Sequence, residues 1–145
     1  PSYRSGNLVE GVRLEFEEGK ATKITADVGQ EFVEKQLAMD PGANRLGEFS
    51  LTDTRFSRID KFMAHTLFDE NYGGEQGNCH VAVGSSYSDT FAEDASKLTK
   101  NKKRGLGFNE SALHWDLVNT EPKTVTAKLK GGKSTIIYEG GQFKR

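Results

Sequence analysis

Only one cysteine occurs in the sequence, Cys79, which excludes an internal disulfide framework and suits a reducing, cytoplasmic setting. Three prolines stand against sixteen glycines, so turns fall largely to glycine and many short elements are expected. No apolar run approaches the roughly 20 residues that a membrane-spanning helix needs, and no membrane association is expected. Charge of one sign is also missing. The net charge is −1, which gives no general attraction to nucleic acid or to an anionic surface. The basic run Asn101-Lys102-Lys103-Arg104 has no interleaved aromatic residues and reads as a solvated surface loop. The glycine-rich residues 72–77 have no Gly-Lys-Ser/Thr after them, so they do not make a phosphate-binding loop.

What is present is a chain of 145 residues, long enough to hide about 68–70% of its unfolded surface and read as one domain. Residues 8–28 read as a β-hairpin. Val12, Leu14 and Phe16 alternate with Arg13, Glu15 and Glu17, Glu18-Gly19-Lys20 turns the chain, and Thr22, Ile24, Ala26 and Val28 alternate on the return. Residues 30–39 contain no Gly or Pro and put Phe32, Val33, Gln36 and Leu37 on one helical face. Asp40-Pro41-Gly42 ends that helix. Residues 46–51 read as a short strand with Leu46 and Leu51 buried, 63–68 as a buried run, 70–79 as a polar loop and 80–84 as a buried strand. Two turns of helix are expected over 91–98 and a strand over 112–118. Val125, Ala127 and Leu129, the turn Gly131-Gly132 and the return 136–138 make a second hairpin. The expected fold is α+β: mainly antiparallel β-sheet with β-hairpins at both ends and a few short helices.

The residues that can do chemistry are few. His114 and Asp116 are two apart, so on a strand they share one face and leave Trp115 on the other. Such a pair suits a divalent ion, and equally a hydrogen-bonded pair in which the carboxylate orients the ring. Glu48 lies inside an apolar strand, where a carboxylate is costly unless paired or metal-bound; on an edge it would simply face water. His80 opens the strand after the glycine-rich loop, and Glu70 lies ten residues before it. Asp69 reads as a turn or cap residue, Cys79 as small packing, and His65 as a core or supporting histidine. Oxygen and imidazole donors without thiolate argue against a structural zinc knot and favour an open hydrolytic site. There Glu70 would take the proton from the attacking water, and Tyr87 would donate to the oxyanion of the intermediate.

The blocks SYRSGNLVEGVRLEFEEGK, RLGEFSL, HTLFDEN, CHVAVGSSY and NESALHWDLV resemble the thermophilic aminopeptidase family, the aminopeptidase T and aminopeptidase S type, in order and in spacing. The resemblance implies an exopeptidase that removes N-terminal residues from peptide substrates with two divalent metal ions, zinc or cobalt first, manganese or magnesium otherwise. It implies Glu48, His80, His114 and Asp116 as metal ligands, Glu48 bridging, with Glu70 as general base and Tyr87 beside the substrate carbonyl. It implies a homodimer for the intact enzyme and neither nucleic acid nor membrane as partner. Two departures stand out. The family's Pro-Thr-Glu-Glu block and large N-terminal domain have no counterpart here, so the chain reads as the carboxyl-terminal, metal-site part of a longer enzyme. The loop between Asn71 and Cys79 is also longer than the family's common form and reads as a passive insertion. A non-catalytic dimerisation or interaction domain on the same scaffold is the alternative, and a mononuclear hydrolase using His80, His114 and Asp116 is a third.

Overall fold

The computed structural model describes residues 2–63 and 65–144. In chain order the strands and helices are β1 (Ser2–Arg4), β2 (Asn7–Val9), β3 (Arg13–Glu17), β4 (Lys20–Thr25), α1 (Gln30–Leu37), β5 (Leu46–Thr52), α2 (Thr66–Asp69), β6 (Asn78–Gly84), α3 (Lys100–Gly105), β7 (His114–Asn119), β8 (Thr124–Lys128), β9 (Ser134–Glu139) and β10 (Gln142–Phe143). The fold is α+β and mainly antiparallel sheet, as the sequence predicts. Among the described residues no helix is long and apolar enough to cross a membrane. The chain forms two compact units, one from residues 1–49 and 81–117, the other from 50–80 and 118–145. β5, β6 and β7 form a three-stranded sheet in that order.

The first unit is built on hairpins. β3 and β4 pair antiparallel with Glu17 opposite Lys20, and Glu18 and Gly19 between them both have positive φ, 47° and 74°. That is the two-residue turn whose twist matches the strands it joins. Ser5 and Gly6 repeat the device, with φ of 49° and 78°, between β1 and β2, a hairpin the sequence reading did not contain. α1 buries Val33 and Leu37, four apart on one face. They join Val9, Ala43, Val83, Leu113 and Trp115 in the core, with Leu14, Phe16, Ile24 and Phe32 packed against it. The Trp115 ring is buried and packs edge-to-face with Phe32, ring centres 6.2 Å apart, so β7 turns Trp115 inward and leaves His114 and Asp116 on its other face.

The second unit is pinned by polar contacts. The fully buried Tyr138 donates its hydroxyl to the carbonyl of Thr52 at 2.7 Å. Gly77, with φ of 57°, passes so close that a Cβ there would lie 2.1 Å from that hydroxyl. The buried Asp53 carboxylate accepts from Arg55 Nε and NH2 at 2.9 and 2.6 Å, and from the N–H of Arg55 and Phe143 at 2.9 and 2.8 Å. β8 and β9 pair antiparallel around the expected glycine turn, with Lys128 opposite Ser134.

Several expectations are corrected. Leu46 is exposed, not buried, because it opens β5 beside the Gly19 turn, whose carbonyl takes its N–H. Residues 63 and 65–68 are exposed as well; Ala64 lies outside the described residues. What holds that stretch is the Asp69 carboxylate, which accepts from the N–H of Met63 at 2.7 Å and of His65 at 3.0 Å. Asp69 thus ties the turn that leads into α2, whose N-cap position is His65, and His65 is an exposed surface residue rather than a core one. The helix expected over 91–98 is a single 3-10 turn, Ala95–Lys97, since Asp94 captures the N–H and hydroxyl of Ser96 locally. The basic run 101–104 is helical, not a loop. It belongs to α3, whose N-terminus is capped by Thr99 accepting from the N–H of Lys102.

Arg55 first, then the two N–H groups, outweigh burial and hold the Asp53 carboxyl well below the usual carboxylate range. A carboxylate depressed on folding stabilises fully above its unfolded pKa, about 4, and this contribution is lost as pH falls through the depressed folded value. Asp53→Asn is expected to lower the unfolding free energy by about 2 kcal/mol in urea titrations at neutral pH. The difference from wild type should shrink in strong acid.

Candidate metal centre

Two glycine-dependent close approaches bring the relevant strands together in the first unit. At Gly47, a Cβ would lie 2.3 Å from the carbonyl of Gly84, and at Gly84, with φ of 98°, it would lie 2.1 Å from the carbonyl of Leu113. The Gly84 N–H donates to Arg45 O at 2.7 Å, and the Ser85 N–H donates to Leu113 O at 2.7 Å. Backbones this close leave no room for side chains between them, and Glu48, next to Gly47, comes within 3.8 Å of His114, next to Leu113.

His114 is the centre of the arrangement. Its Nδ1 lies 2.8 Å from the carbonyl oxygen of Ser85. A carbonyl only accepts, so Nδ1 carries the hydrogen and in the neutral ring Nε2 presents a lone pair. That lone pair faces Asp116 Oδ1 at 3.3 Å and Glu48 Oε2 at 3.8 Å. The His114 side chain is 17% exposed, Glu48 25% and Asp116 6%. Among the described residues Asp116 Oδ1 is buried without a hydrogen-bond partner, and a neutral His114 with its hydrogen on Nδ1 has none to give it. The lone pair of His114 Nε2 and the buried Asp116 Oδ1 thus face each other in a half-dry recess beside Glu48, an arrangement that a cation or a proton relieves. Among the described residues no group of three or more His, Cys, Asp or Glu side chains closes tightly enough to hold an ion as it stands. The trio is therefore a loose donor set rather than a finished cage.

Tyr87 lies against this centre. Its ring is 4.4 Å from that of His114, tilted by 45°, and it is 52% exposed. Other polar residues support the strand lead-in. Asp40 accepts from the N–H of Ala112 at 2.8 Å and the hydroxyl of Ser111 at 2.9 Å. Those donors, the Ala112 N–H foremost, hold the Asp40 carboxyl below its ordinary range. Asn109 gives its amide hydrogens to the carbonyls of Gly42 and Gly84. The sequence reading found the helix stop at Asp40 but not its grip on residues 111 and 112, and it missed Asn109 and Ser111 altogether. The signal was there in Asn-Glu-Ser before a strand, residues whose side chains bond to backbone.

The second unit holds His80 and Glu70. His80 is 3% exposed, and its Nδ1 lies 2.9 Å from the carbonyl oxygen of Glu70. The same logic therefore puts the hydrogen on Nδ1. Glu70 follows α2, which its own N–H closes onto Thr66 O. Asn78, fully buried two residues before His80, donates to Tyr72 O at 2.6 Å, so the longer loop over 72–77 is tied down at its end.

The model of the thermophilic metalloprotease (M29) family matches residues 1–143. Aminopeptidase 2 of Geobacillus stearothermophilus is 31% identical and aminopeptidase T of Thermus aquaticus 32%, each over 99% of this chain and 34% of the relative. The solved structure of wild-type AmpT from Thermus thermophilus superposes with a TM-score of 0.79 at 31% identity, covering 97% of this chain and 33% of that one. The chain thus spans about a third of the length of the curated relatives it matches.

Asp116→Asn removes one of the facing electron pairs and supplies an N–H in its place. The substitution is expected to raise the melting temperature of the metal-free chain by a few degrees while abolishing any further rise on adding zinc. A drop in melting temperature in both conditions would mean that a charged His114–Asp116 pair, not a cation, is what the arrangement serves.

Proposed function

Because the chain belongs to the thermophilic metalloprotease (M29) family, we propose that it carries the metal-holding part of an aminopeptidase that releases N-terminal residues from peptides. The observation that carries the proposal is the orphaned Asp116 oxygen facing the lone pair of His114, with Glu48 beside them. The donors fit a divalent ion in type. One imidazole and two carboxylates, without thiolate, are the set that zinc, cobalt and harder divalent ions accept in open hydrolytic sites. Two such ions, zinc or cobalt, are proposed on the strength of the family resemblance.

In this reading Glu48, His114 and Asp116 hold metal, and His80 is a further ligand. Support for His80 lies in its own anchoring: its ring is held through Nδ1 by the Glu70 carbonyl, the kind of partner that orients ligand histidines. A divalent ion supplies Lewis acidity toward the scissile carbonyl and toward water. The chain's residues do the rest. Glu70 accepts the proton of the attacking water and passes it to the leaving amine. Tyr87, tilted against the His114 ring and half exposed, donates its hydroxyl hydrogen to the oxyanion as the carbonyl carbon becomes tetrahedral. The proposal extends, by the same resemblance, to a cytoplasmic homodimer for a chain of the relatives' full length.

The test has two parts. Zinc added to the chain at about 100 times its dissociation constant is expected to stabilise it by about 2.7 kcal/mol, and His114→Ala to remove that gain. In a chain of full family length, a short peptide with a free N-terminus should release its first residue and the N-acetylated peptide should not. A chelator should stop the release. Cleavage of the acetylated peptide at an internal bond, or release unaffected by chelation, would contradict the proposal.

A further inference from the structure

We propose that Asn109 is a positioning residue for the metal centre: it sets the direction of the His114 ring without touching the ring or its neighbours in the donor set. The proposal rests on His114 being a metal ligand, as argued above. The hydrogen bond that orients the ring runs from Nδ1–H to the carbonyl of Ser85. Ser85 lies between Gly84 and Ser86, and Asn109 grips both. Its Nδ2 donates to Gly84 O at 2.6 Å, its N–H donates to Ser86 Oγ at 3.1 Å, and its carbonyl accepts from the Ser86 N–H at 2.9 Å. The second Nδ2 hydrogen goes to Gly42 O at 2.8 Å, which ties the same amide to the segment after α1.

The chemistry asks for an amide at this position. The two acceptors are carbonyl oxygens, so the side chain must give two hydrogens. A carboxylate of the same shape has none, and a hydroxyl has one. The site is also crowded. A Cβ at Gly42 would lie 3.2 Å from Asn109 Oδ1, so the carboxamide has little freedom to turn. Gly84 needs this help, since its φ of 98° lies where only glycine rests comfortably and glycine alone does not hold a conformation. Without the Asn109 carboxamide the carbonyls of Gly84 and Gly42 lose their donors while the backbone bonds of 84–86 remain, so the Gly84–Ser85 peptide can turn, the Ser85 carbonyl shifts, and the His114 ring loses the partner that keeps hydrogen on Nδ1. The lone pair on Nε2 then no longer faces Asp116 and Glu48. Partners of this kind, one shell beyond the ligands, change metal affinity by about 10–100-fold when removed.

The test reads the ring directly. Nitrogen-15 chemical shifts of His114 in the metal-free chain, in alkaline buffer, should report the Nδ1–H tautomer in wild type and a mixture with the Nε2–H form in Asn109→Ala. Zinc affinity measured by calorimetry should fall about 10-fold or more. In a His114→Ala background, Asn109→Ala should leave the residual affinity unchanged, which separates positioning from general loosening of the fold. If Asn109→Ala does not fold, Ser86→Ala takes its place. It removes only the acceptor of the Asn109 N–H and should give a smaller change in the same direction. An unaltered His114 tautomer together with unaltered zinc affinity in the folded variant would overturn the proposal. Failure of the wild-type chain to bind zinc would overturn the metal-centre reading itself, while the tautomer would still show whether Asn109 sets the ring.

Discussion

The hydrogen bond from His114 Nδ1 to the Ser85 carbonyl, 2.8 Å long, joins the start of β7 to the residue that follows β6. Alone such a bond contributes only about 1 kcal/mol to stability. Its larger effect is on direction. By fixing the hydrogen on Nδ1 it turns the lone pair of Nε2 toward two carboxylates, one of them with a buried oxygen that no hydrogen bond among the described residues satisfies. A buried oxygen left in that state is costly. Folded proteins keep such arrangements where a ligand relieves them, and a divalent cation is the ligand that this donor set suits.

The local fold exists to allow that bond. Gly47 and Gly84 let backbones approach more closely than any side chain permits, and Asp40 and Asn109 then fill the hydrogen-bonding needs of the segments so joined. The apolar core lies on the other side of β7, where Leu113 and Trp115 pack with α1 and the hairpins. One strand thus serves two purposes by simple alternation. Its inward residues anchor it to the core, and the outward residues His114 and Asp116 are held still because their neighbours are. Tyr87 gains its place beside His114 in the same way, two residues beyond Ser85.

Much of this was legible in the residues. Period-two alternation gave β3, β4, β8 and β9 and put His114 and Asp116 on one face, because side-chain direction in a strand follows from parity alone. The glycine turns at Gly19 and at 131–132 fell where expected. What alternation and composition could not show was which side of an element meets solvent. Leu46 and residues 65–68 are apolar or mixed stretches that read as buried, yet polar backbone contacts, not burial, fix them in place. Local competition was also hidden. Asp94 and Ser96 interrupt a stretch with helical pattern, and Thr99 starts a helix in a basic run that looked like loop. The ligand candidates themselves were visible as residue types, but the contacts that aim them run through backbone carbonyls of Ser85 and Glu70, and no side-chain pattern reveals those.

The account turns on whether Glu48, His114 and Asp116 take up a divalent cation through nitrogen and oxygen. X-ray absorption at the cobalt edge, on the chain loaded with one equivalent of cobalt, tests this most directly. The account predicts imidazole scattering in the wild-type spectrum at ordinary Co–N distances, reduced in His114→Ala. A spectrum of hydrated cobalt alone, identical in the two proteins, would contradict it.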